Sequence, residues 1–361
     1  MLGQMDIFGK TKLEKTIERI QMFEPEDGYF LAFSGGKDSQ CIYHLAKMAG
    51  VKFDAHYSVT SVDPPEMVRF IMKNYPDVIR EHKTDKNGKP MTMWSLIESN
   101  TMPPTRMARY CCEKLKESSG DGRVTMTGVR WAESRNRREN QGLVTMMGRS
   151  KKTQSMLTEI GANFQKTDRG GVVLNLDNSD TRRAVEICYR TQRTLVNPII
   201  DWEDDEVWEF LNKVVKVPHC SLYDDGFKRL GCIGCPLSGG KNMRRDFERW
   251  PAYKQKYIKS FERMIENHPG KIRVATGESA EGGYRCLTNG SNGALSVSEQ
   301  AEAVYNWWID LNERELQAMD LPGLRSAIPH HVKGLGLQDE EAEGDVLLRL
   351  EVYEGVERWR R

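Results

Sequence analysis

No apolar run in this 361-residue chain approaches the roughly 20 residues of a membrane-spanning helix. The N-terminus also lacks the apolar core of a signal peptide. We therefore expect a cytoplasmic protein with no membrane partner. Neither sign of charge dominates, since 53 basic and 52 acidic residues nearly cancel. This balance neither indicates nor excludes nucleic acid, because only a local basic face could decide that question.

The sequence shows no internal repeat, and its length allows more than one compact unit. Buried apolar strands alternate with helices in the first half, which predicts an α/β fold with a doubly wound parallel sheet. We predict an N-terminal helix within residues 1–24, a nucleotide-binding domain over 25–240 and a mainly helical region over 241–361. Residues 140–170 are polar with weak periodicity, and we interpret them as an excursion or flexible loop.

The most informative segment is a glycine turn between a predicted strand at about 28–33 and a predicted helix at about 37–49. The turn consists of Ser34, Gly35, Gly36, Lys37, Asp38 and Ser39. Its glycines let the backbone approach a ligand closely, and free N–H groups at a helix start favour an anion. The turn therefore predicts a phosphate site, although it is not the P-loop, which requires G-x-x-x-x-G-K-[ST]. The alternative is an ordinary strand–helix turn.

A second candidate element follows a predicted strand at 123–128. It contains Gly128, Arg130, Glu133 and Arg137. Ligands of open α/β sheets bind beyond the carboxyl ends of strands, where Gly128 permits close approach. Both arginines can bind phosphate or sulfate oxygens, and Glu133 can orient an arginine or a metal-bound water. The alternative is the charged start of a surface helix.

The cysteines form a third candidate element. Cys232 and Cys235 make a C-x-x-C loop, Cys111 and Cys112 are adjacent, and Cys220 lies a short way upstream of the loop. In a cytoplasmic chain these thiols fit metal binding better than disulfides. Thiolates select zinc or iron–sulfur, and adjacent cysteines converge poorly on one zinc ion, which favours a 4Fe–4S cluster. A redox dithiol or merely buried cysteines remain as alternatives.

Together these segments resemble the phosphoadenosine phosphosulfate reductase-like family of the PP-loop ATP pyrophosphatase superfamily, over roughly residues 25–260. The resemblance lies in S-G-G-K-D-S, R-Y-C-C-E-K-L-K from Arg109, G-V-R-W-A-E-S-R-N-R from Gly128, N-P-I-I-D-W from Asn197 and the segment 221–232. It implies an adenine nucleotide α-hydrolase fold and cleavage between the α and β phosphates. The adenylyl-sulfate reductase branch implies a 4Fe–4S cluster, with ligands at Cys111, Cys112, Cys232 and Cys235 and with Cys220 as an additional candidate.

Two departures from that family bear on function. The chain has no E-C-G-[IL]-H segment, which carries the nucleophilic cysteine of assimilatory reductases. Its glycine turn is complete, whereas sulfonucleotide reductases tend to carry a degenerate one, and a complete turn suits ATP. The chain is therefore also similar to DndC-type sulfur-transfer proteins. We predict a PP-loop enzyme that activates a substrate by adenylylation for sulfur transfer.

The prediction assigns a role to each element. The adenine nucleotide binds on the glycine turn, on Gly128 and on Glu133. Lys37, Asp38, Arg130 and Arg137 act in catalysis, with Asp38 helping to hold Mg²⁺. The expected partners are a sulfur donor, such as a cysteine desulfurase or a thioredoxin-like protein, and a nucleic-acid substrate. The alternatives are a sulfonucleotide reductase that uses an external thiol, and a non-catalytic nucleotide-binding module of a larger assembly.

Overall fold

The computed structural model describes residues 2–3, 5, 9–106, 108–117, 119–120, 122–147, 151–159, 161–168, 171–188, 193–269, 272 and 295–320. The strands of this part are β1 (Tyr29–Ala32), β2 (Phe53–Ser58), β3 (Ile79–Glu81), β4 (Val124–Met126), β5 (Val144–Met147), β6 (Gln165–Lys166), β7 (Val172–Leu174) and β8 (Arg193–Val196). Its helices are α1 (Lys12–Met22), α2 (Lys37–Ala49), α3 (Pro65–Asn74), α4 (Met93–Ser99), α5 (Tyr110–Cys112), α6 (Arg135–Asn140), α7 (Lys151–Glu159), α8 (Ser179–Cys188), α9 (Asp204–Glu209), α10 (Gly240–Arg249), α11 (Pro251–Asn267) and α12 (Val297–Asp320).

The chain divides into two compact units. The sheet unit contains residues 1–59, 64–82 and 118–230, and the helical unit contains 60–63, 83–117 and the described residues from 231 onward. This division differs from the predicted boundaries after residues 24 and 240, because α1 packs on α2 and α4 packs on α11. Of the predicted C-terminal region, residues 321–361 lie outside the described part of the chain.

The sheet unit is built on one sheet in the order β3-β2-β1-β4-β8-β5-β7-β6. The first five strands are parallel, whereas β5, β7 and β6 continue the sheet in antiparallel pairing. The predicted α/β class with a parallel sheet is confirmed, with this antiparallel extension added. The chain order reverses between β1 and β4, so the loops after these two strands meet at the switch point, where open α/β sheets bind ligands.

The turn from β1 into α2 depends on two adjacent glycines. Gly35 has φ +73°, and a Cβ there would lie 2.7 Å from the Ile71 side chain. Gly36 is the N-cap of α2, and Leu45 on that helix is fully buried. The helix begins and ends where the sequence predicted, because glycine bounds it at both ends, with Gly50 in the left-handed conformation.

The interpretation of residues 140–170 as a loop was wrong for three stretches, which are β5, α7 and β6. Strand β5 pairs with both β7 and β8, and α7 follows it. The side chains of Val144, Thr145 and Met146 are all buried. A short strand buried on both faces shows no alternation of polar and apolar residues, so its sequence gives little periodic signal.

The helical unit packs α4, α10, α11 and α12 around aromatic side chains. Trp308 is fully buried beside Tyr257 and Phe261, and its indole N–H donates to the carbonyl of Pro104 at 2.6 Å. Within the region predicted to be mainly helical, Pro251 begins α11 and separates it from α10, because proline cannot continue a helix. Within the described residues, no helix combines the length and apolar character needed to cross a bilayer.

Candidate functional site

The start of α2 presents backbone N–H groups that have no partner inside the helix. No side chain caps this end. The N–H of Lys37 donates to the hydroxyl of Tyr223 at 2.8 Å. The N–H groups of Asp38 and Ser39 have no acceptor among the residues that the structure describes. Such donors at the positive end of a 13-residue helix suit an anion.

The two serines of the turn are linked to each other and to the backbone. The hydroxyl of Ser34 donates to Ser39 Oγ at 3.3 Å, and Ser39 donates to the carbonyl of Gly36 at 2.8 Å. Gly128 brings the loop after β4 against α2, since a Cβ there would lie 2.8 Å from the carbonyl oxygen of Asp38. The predicted turn residues therefore lie together. The absence of a side chain at Gly128 lets the loop after β4 approach the backbone of Asp38 on α2.

Two cations and two carboxylates form a charge cluster beside the turn: Lys37, Asp38, Arg130 and Asp204. The Lys37 ammonium lies 3.1 Å from Asp38 Oδ2 and 3.3 Å from Asp204 Oδ1. Arg130 donates through Nε to Asp38 Oδ1 at 2.8 Å and through Nη2 to Asp204 Oδ1. Parallel pairing of β4 with β8 brings their carboxyl ends to one edge, which is why residues so distant in sequence meet.

Pairing shifts the pKa values of Asp204 and Arg130 toward their charged forms. Burial acts to raise the pKa of Asp204, but the hydrogen bond from Arg130 and the charge of Lys37 hold that pKa below its ordinary value. Burial acts to lower the pKa of Arg130, yet Asp38 and Asp204 raise it overall. The Asp204 carboxylate and the Arg130 guanidinium are therefore both charged at neutral pH.

Arg130 holds the two carboxylates in place. Its side chain is only 1% exposed, and its third nitrogen, Nη1, donates to the carbonyl of Trp202 at 3.1 Å. Each guanidinium nitrogen thus has a protein acceptor. This geometry favours a positioning role for Arg130 over direct contact with phosphate oxygens.

Glu133 orients the other arginine of the predicted motif. Its Oε2 accepts hydrogen bonds from the backbone N–H of Arg130, at 3.1 Å, and from Nη1 of Arg137. Burial lowers the pKa of Arg137; the carboxylate of Glu133 opposes this, and the charge of Arg229 reinforces it. Arg229 lies 4.0 Å from Glu133 and is 71% exposed. Arg137 and Arg229 can therefore meet an anionic group of a substrate.

Sequence reasoning missed Asp204 and Tyr223. Asp204 lies in the first turn of α9, whose N-cap is Glu203, in a capping box with Glu206. The available signal for Asp204 was its position after β8, beside the end of β4. Tyr223 lies in the segment 221–232 that carries part of the resemblance, but the sequence assigned it no role, because only a tertiary contact brings it to α2.

The helical unit contains four of the five candidate thiols. The pKa of Cys111 is raised by a hydrogen bond with Cys112 and by burial. The nearby Cys232 and Cys235 add to this rise. The same hydrogen bond lowers the pKa of Cys112 to about 6, although burial opposes it and Arg109 assists. The four thiols therefore lie close enough for their charges to interact.

The ammonium group of Lys116 contacts one of these four thiols. The ammonium of Lys116 donates to Cys232 Sγ at 3.3 Å, and the charge of Cys232 raises the pKa of that lysine. Burial raises the pKa of Cys232 to about 12, although Lys116 opposes the rise. A cation in contact with a thiol favours the thiolate, which is the form that binds metals.

The C-x-x-C loop is held by its neighbours in the helical unit. The N–H of Gly234 donates to Asp246 Oδ2 at 3.2 Å, and the Tyr257 hydroxyl donates to the carbonyl of Ile233 at 3.0 Å. Gly234 has φ +69°, and a Cβ there would lie 2.5 Å from Phe247 Cζ. The loop geometry is therefore determined by α10 and α11 as well as by its own sequence.

Cys220 differs from the other four candidates. It belongs to the sheet unit and is fully buried. Burial raises its pKa, and the groups that add to this rise are the carboxylates of Glu66, Asp224 and Asp225, with no thiol among them. Among the described residues, no three His, Cys, Asp or Glu side chains are placed to hold a single metal ion.

The cysteine group can still be compared with the donor set of a cluster. Four thiols with a neighbouring cation match the soft ligands that iron–sulfur clusters use. A 4Fe–4S cluster spreads its ligands over several irons, so its thiols need not converge on one point. The thiols of Cys111, Cys112, Cys232 and Cys235 fit such a group in chemistry.

Comparison with known proteins identifies a family over a range that includes residues of both units. The family model named phosphoadenosine phosphosulfate reductase domain matches residues 28–238. An uncharacterised protein of Methanocaldococcus jannaschii is 23% identical over 249 residues, which are 66% of this chain and 42% of that protein. A probable FAD synthase of Caenorhabditis briggsae is 22% identical over 218 residues, 60% of this chain and 32% of that protein.

Adenosine 5′-phosphosulfate reductases match a shorter stretch. The protein of that name from Bacillus anthracis is 32% identical over 80 residues, which are 21% of this chain and 35% of the reductase. The chain thus spans less than half the length of each of these three curated relatives.

Proposed function

Because the chain belongs to the phosphoadenosine phosphosulfate reductase domain family, we propose that it binds an adenine nucleotide with its phosphates on the start of α2. The observation that carries this proposal is the combination of free N–H groups on Asp38 and Ser39 with the adjacent charge cluster. Lys37 is placed to neutralise phosphate charge when its carboxylate partners take a metal. The serines of the turn add hydroxyl donors.

We further propose ATP with Mg²⁺ as the nucleotide form. Mg²⁺ in nucleotide enzymes is held by one or two carboxylates together with substrate phosphates. Asp38 and Asp204 supply two carboxylates, and Arg130 holds both of them. A sulfonucleotide has no pyrophosphate to neutralise and would leave this pair of carboxylates without a role.

The proposed reaction is adenylylation. An oxygen of the acceptor substrate attacks the α-phosphorus, the bond from that phosphorus to the bridging oxygen breaks, and pyrophosphate leaves with the bond electrons. The proton of the attacking oxygen passes to solvent or to the pyrophosphate. Lys37 offsets the charge that develops on the leaving group, and Mg²⁺ held by Asp38 and Asp204 would add to this effect. Arg137, with Arg229 near it, is placed to hold anionic oxygens of the nucleotide or acceptor.

For the cysteine group we propose a 4Fe–4S cluster on Cys111, Cys112, Cys232 and Cys235. When bound, such a cluster would supply a site for sulfur or electron chemistry. The residues of this chain hold it and balance its charge, with Lys116 on Cys232. The activated substrate would then receive sulfur. We propose that the sulfur donor is a protein such as a cysteine desulfurase or a thioredoxin-like protein, and that the acceptor is a nucleic acid.

A second candidate function is reduction of adenylyl sulfate with an external thiol. It is supported by the match to adenosine 5′-phosphosulfate reductases over 80 residues. The chain has no E-C-G-[IL]-H segment to supply the nucleophile, so a partner would have to supply the thiol. The paired carboxylates beside the turn favour the first candidate.

One assay separates the two candidates. Anaerobically purified full chain is incubated with ATP and Mg²⁺, and separately with adenylyl sulfate and a thiol. We expect AMP and pyrophosphate from ATP, with water as the acceptor, and no sulfite. The substitution Asp38→Asn should abolish this turnover while the far-ultraviolet circular dichroism stays unchanged. Release of sulfite without any ATP cleavage would support the reductase instead, and full activity of Asp38→Asn would exclude the metal role of Asp38.

A further inference from the structure

We propose that Tyr223 is a binding residue for the nucleotide phosphates, an inference that rests on the proposed function. Its hydroxyl accepts the N–H of Lys37 at 2.8 Å. The same oxygen would lie 3.5 Å from a Cβ on Gly36. The hydroxyl therefore stands at the glycine turn itself, next to the free N–H groups of Asp38 and Ser39.

The hydroxyl has a donor to offer. A tyrosine hydroxyl can accept one hydrogen bond and donate another at the same time. Tyr223 accepts from Lys37, and no acceptor for its own proton occurs among the residues that the structure describes. Burial raises the pKa of Tyr223, and the nearby Asp38 and Asp204 add to this rise, so the proton stays on the oxygen at neutral pH. A phosphate oxygen is the acceptor that this position lacks.

The ring of Tyr223 is held in place before any ligand arrives. It packs edge-on against Trp208, with ring centroids 5.0 Å apart, and lies 6.2 Å from the ring of His219. Its backbone N–H donates to the carbonyl of Cys220 at 3.0 Å, and the preceding Leu222 is fully buried. A donor fixed in this way loses little conformational freedom on binding, which increases its contribution to affinity.

In an alternative role, the Tyr223 hydroxyl would occupy the position of a phosphate oxygen in the absence of ligand, and the nucleotide would displace it on binding. The packing against two rings argues for a hydroxyl that stays. The two roles predict opposite effects of removing the hydroxyl. A lost hydrogen bond to a charged phosphate weakens binding, whereas removal of a hydroxyl that occupies the phosphate position strengthens it.

The test measures equilibrium binding by calorimetry with the full chain in Mg²⁺. The ligands are α,β-methylene-ATP, which resists cleavage, inorganic pyrophosphate and adenosine. We expect Tyr223→Phe to weaken binding of the first two about 10- to 100-fold and to leave adenosine unchanged. Tyr43→Phe is the matched control, because Tyr43 lies on α2, the helix whose start Tyr223 contacts, but its hydroxyl donates to Asp77. This control should bind all three ligands like the unmodified chain.

Three results would overturn the inference: tighter phosphate binding by Tyr223→Phe, unchanged binding, or an equal loss of adenosine binding. The proposed function is judged separately on the unmodified chain. If that chain binds adenylyl sulfate but neither α,β-methylene-ATP nor pyrophosphate, the ATP proposal is wrong. The effect of Tyr223→Phe on adenylyl sulfate binding then decides the role of Tyr223 on its own. Binding of no phosphate ligand at all would reject both.

Discussion

The carboxylate of Asp246 accepts a hydrogen bond from the backbone N–H of Gly234, which directly precedes the second cysteine of the C-x-x-C loop. The distance is 3.2 Å, and the Asp246 side chain is 10% exposed. Burial raises its pKa to about 6, although the hydrogen bond from Gly234 and the charge of Arg245 oppose the rise. The buried carboxylate of Asp246 thus supports the cysteine loop. Its ionisation lowers the free energy of unfolding, so this contribution to stability depends on pH.

The first prediction concerns this dependence on pH. Between the ordinary pKa of Asp246 and its folded value, the folded state binds a proton that the unfolded state lacks, so stability falls as pH rises through that window. Asp246→Asn keeps an oxygen acceptor for Gly234 but carries no charge. We expect this variant to gain roughly 2–3 kcal/mol in unfolding free energy at pH 7.5 relative to the unmodified chain, and little at pH 4. Urea titrations at both pH values measure this, and an equal effect at the two pH values would contradict it.

The second prediction concerns Gly234. Alanine there would require a positive φ and would place its Cβ 2.5 Å from Phe247. We expect Gly234→Ala to lower the unfolding free energy by about 2–4 kcal/mol and to reduce the iron and sulfide content of anaerobically purified protein. Gly231→Ala is the control in the same loop, since no atom lies within 4 Å of its Cβ position. Equal behaviour of the two variants would show that the loop tolerates the change.

The third prediction concerns Arg130. Arg130→Ala leaves Asp38 and Asp204 without their shared partner. Because Asp38 is 22% exposed and Asp204 is 62% exposed, water screens part of this loss, and we expect a cost of about 1–3 kcal/mol. Arg130→Lys should recover part of this stability, because one ammonium cannot replace three directed donors. Arg135→Ala is the control, because that side chain is 74% exposed and pairs only with Glu139. Thermal unfolding followed by circular dichroism measures the series, and a stable Arg130→Ala variant would show that the charge cluster does not need it.

The fourth prediction separates Asp204 from its neighbour. Asp204→Asn removes one of the two proposed Mg²⁺ ligands, so we expect at least a tenfold fall in ATP cleavage and a higher Mg²⁺ concentration for half-maximal activity. Asp205→Asn changes an adjacent exposed carboxylate and should stay within about twofold of the unmodified rate. Titration of activity with Mg²⁺ measures both variants. A metal dependence that does not move in Asp204→Asn would remove Asp204 from the metal site.

The fifth prediction tests which thiols hold a cluster. Cys235→Ser should lose most of the absorbance near 400 nm that thiolate-bound iron gives, together with stability, because cluster binding couples to folding. Cys220→Ala should keep both iron and colour, since Cys220 belongs to the sheet unit and has carboxylates around it. Iron and sulfide analysis after anaerobic purification compares the two. Loss of iron from Cys220→Ala alone would reverse the assignment.

The sequence predicted the elements whose signals are local. The glycine turn and α2 were predicted to the residue, because glycines bound the helix and a buried strand precedes it. Strand β5 was missed, since burial on both faces removes the alternation that identifies a strand. The start of α11 at Pro251 also has a local signal, because proline is favoured in the first turn of a helix and cannot continue the preceding one.

The candidate site shows the same limit. Lys37, Asp38 and Arg130 were found because they belong to motifs that follow strands. Their partner Asp204 lies 74 residues after Arg130, and only the pairing of β8 with β4 brings it near. Tyr223 reaches Lys37 across 186 positions of sequence. Contacts of this kind have no periodic or motif signal in one chain.

The sequence by itself determined the α/β class, the glycine turn between β1 and α2 and the residue types available for chemistry, because these follow from local patterns of glycine, charge and apolar residues. Only the tertiary structure decided which charges pair, that Arg130 holds two carboxylates, and that a tyrosine hydroxyl lies on the first N–H of α2. The physical reason is the sheet order, since strands distant in sequence become neighbours and bring their carboxyl ends to one edge.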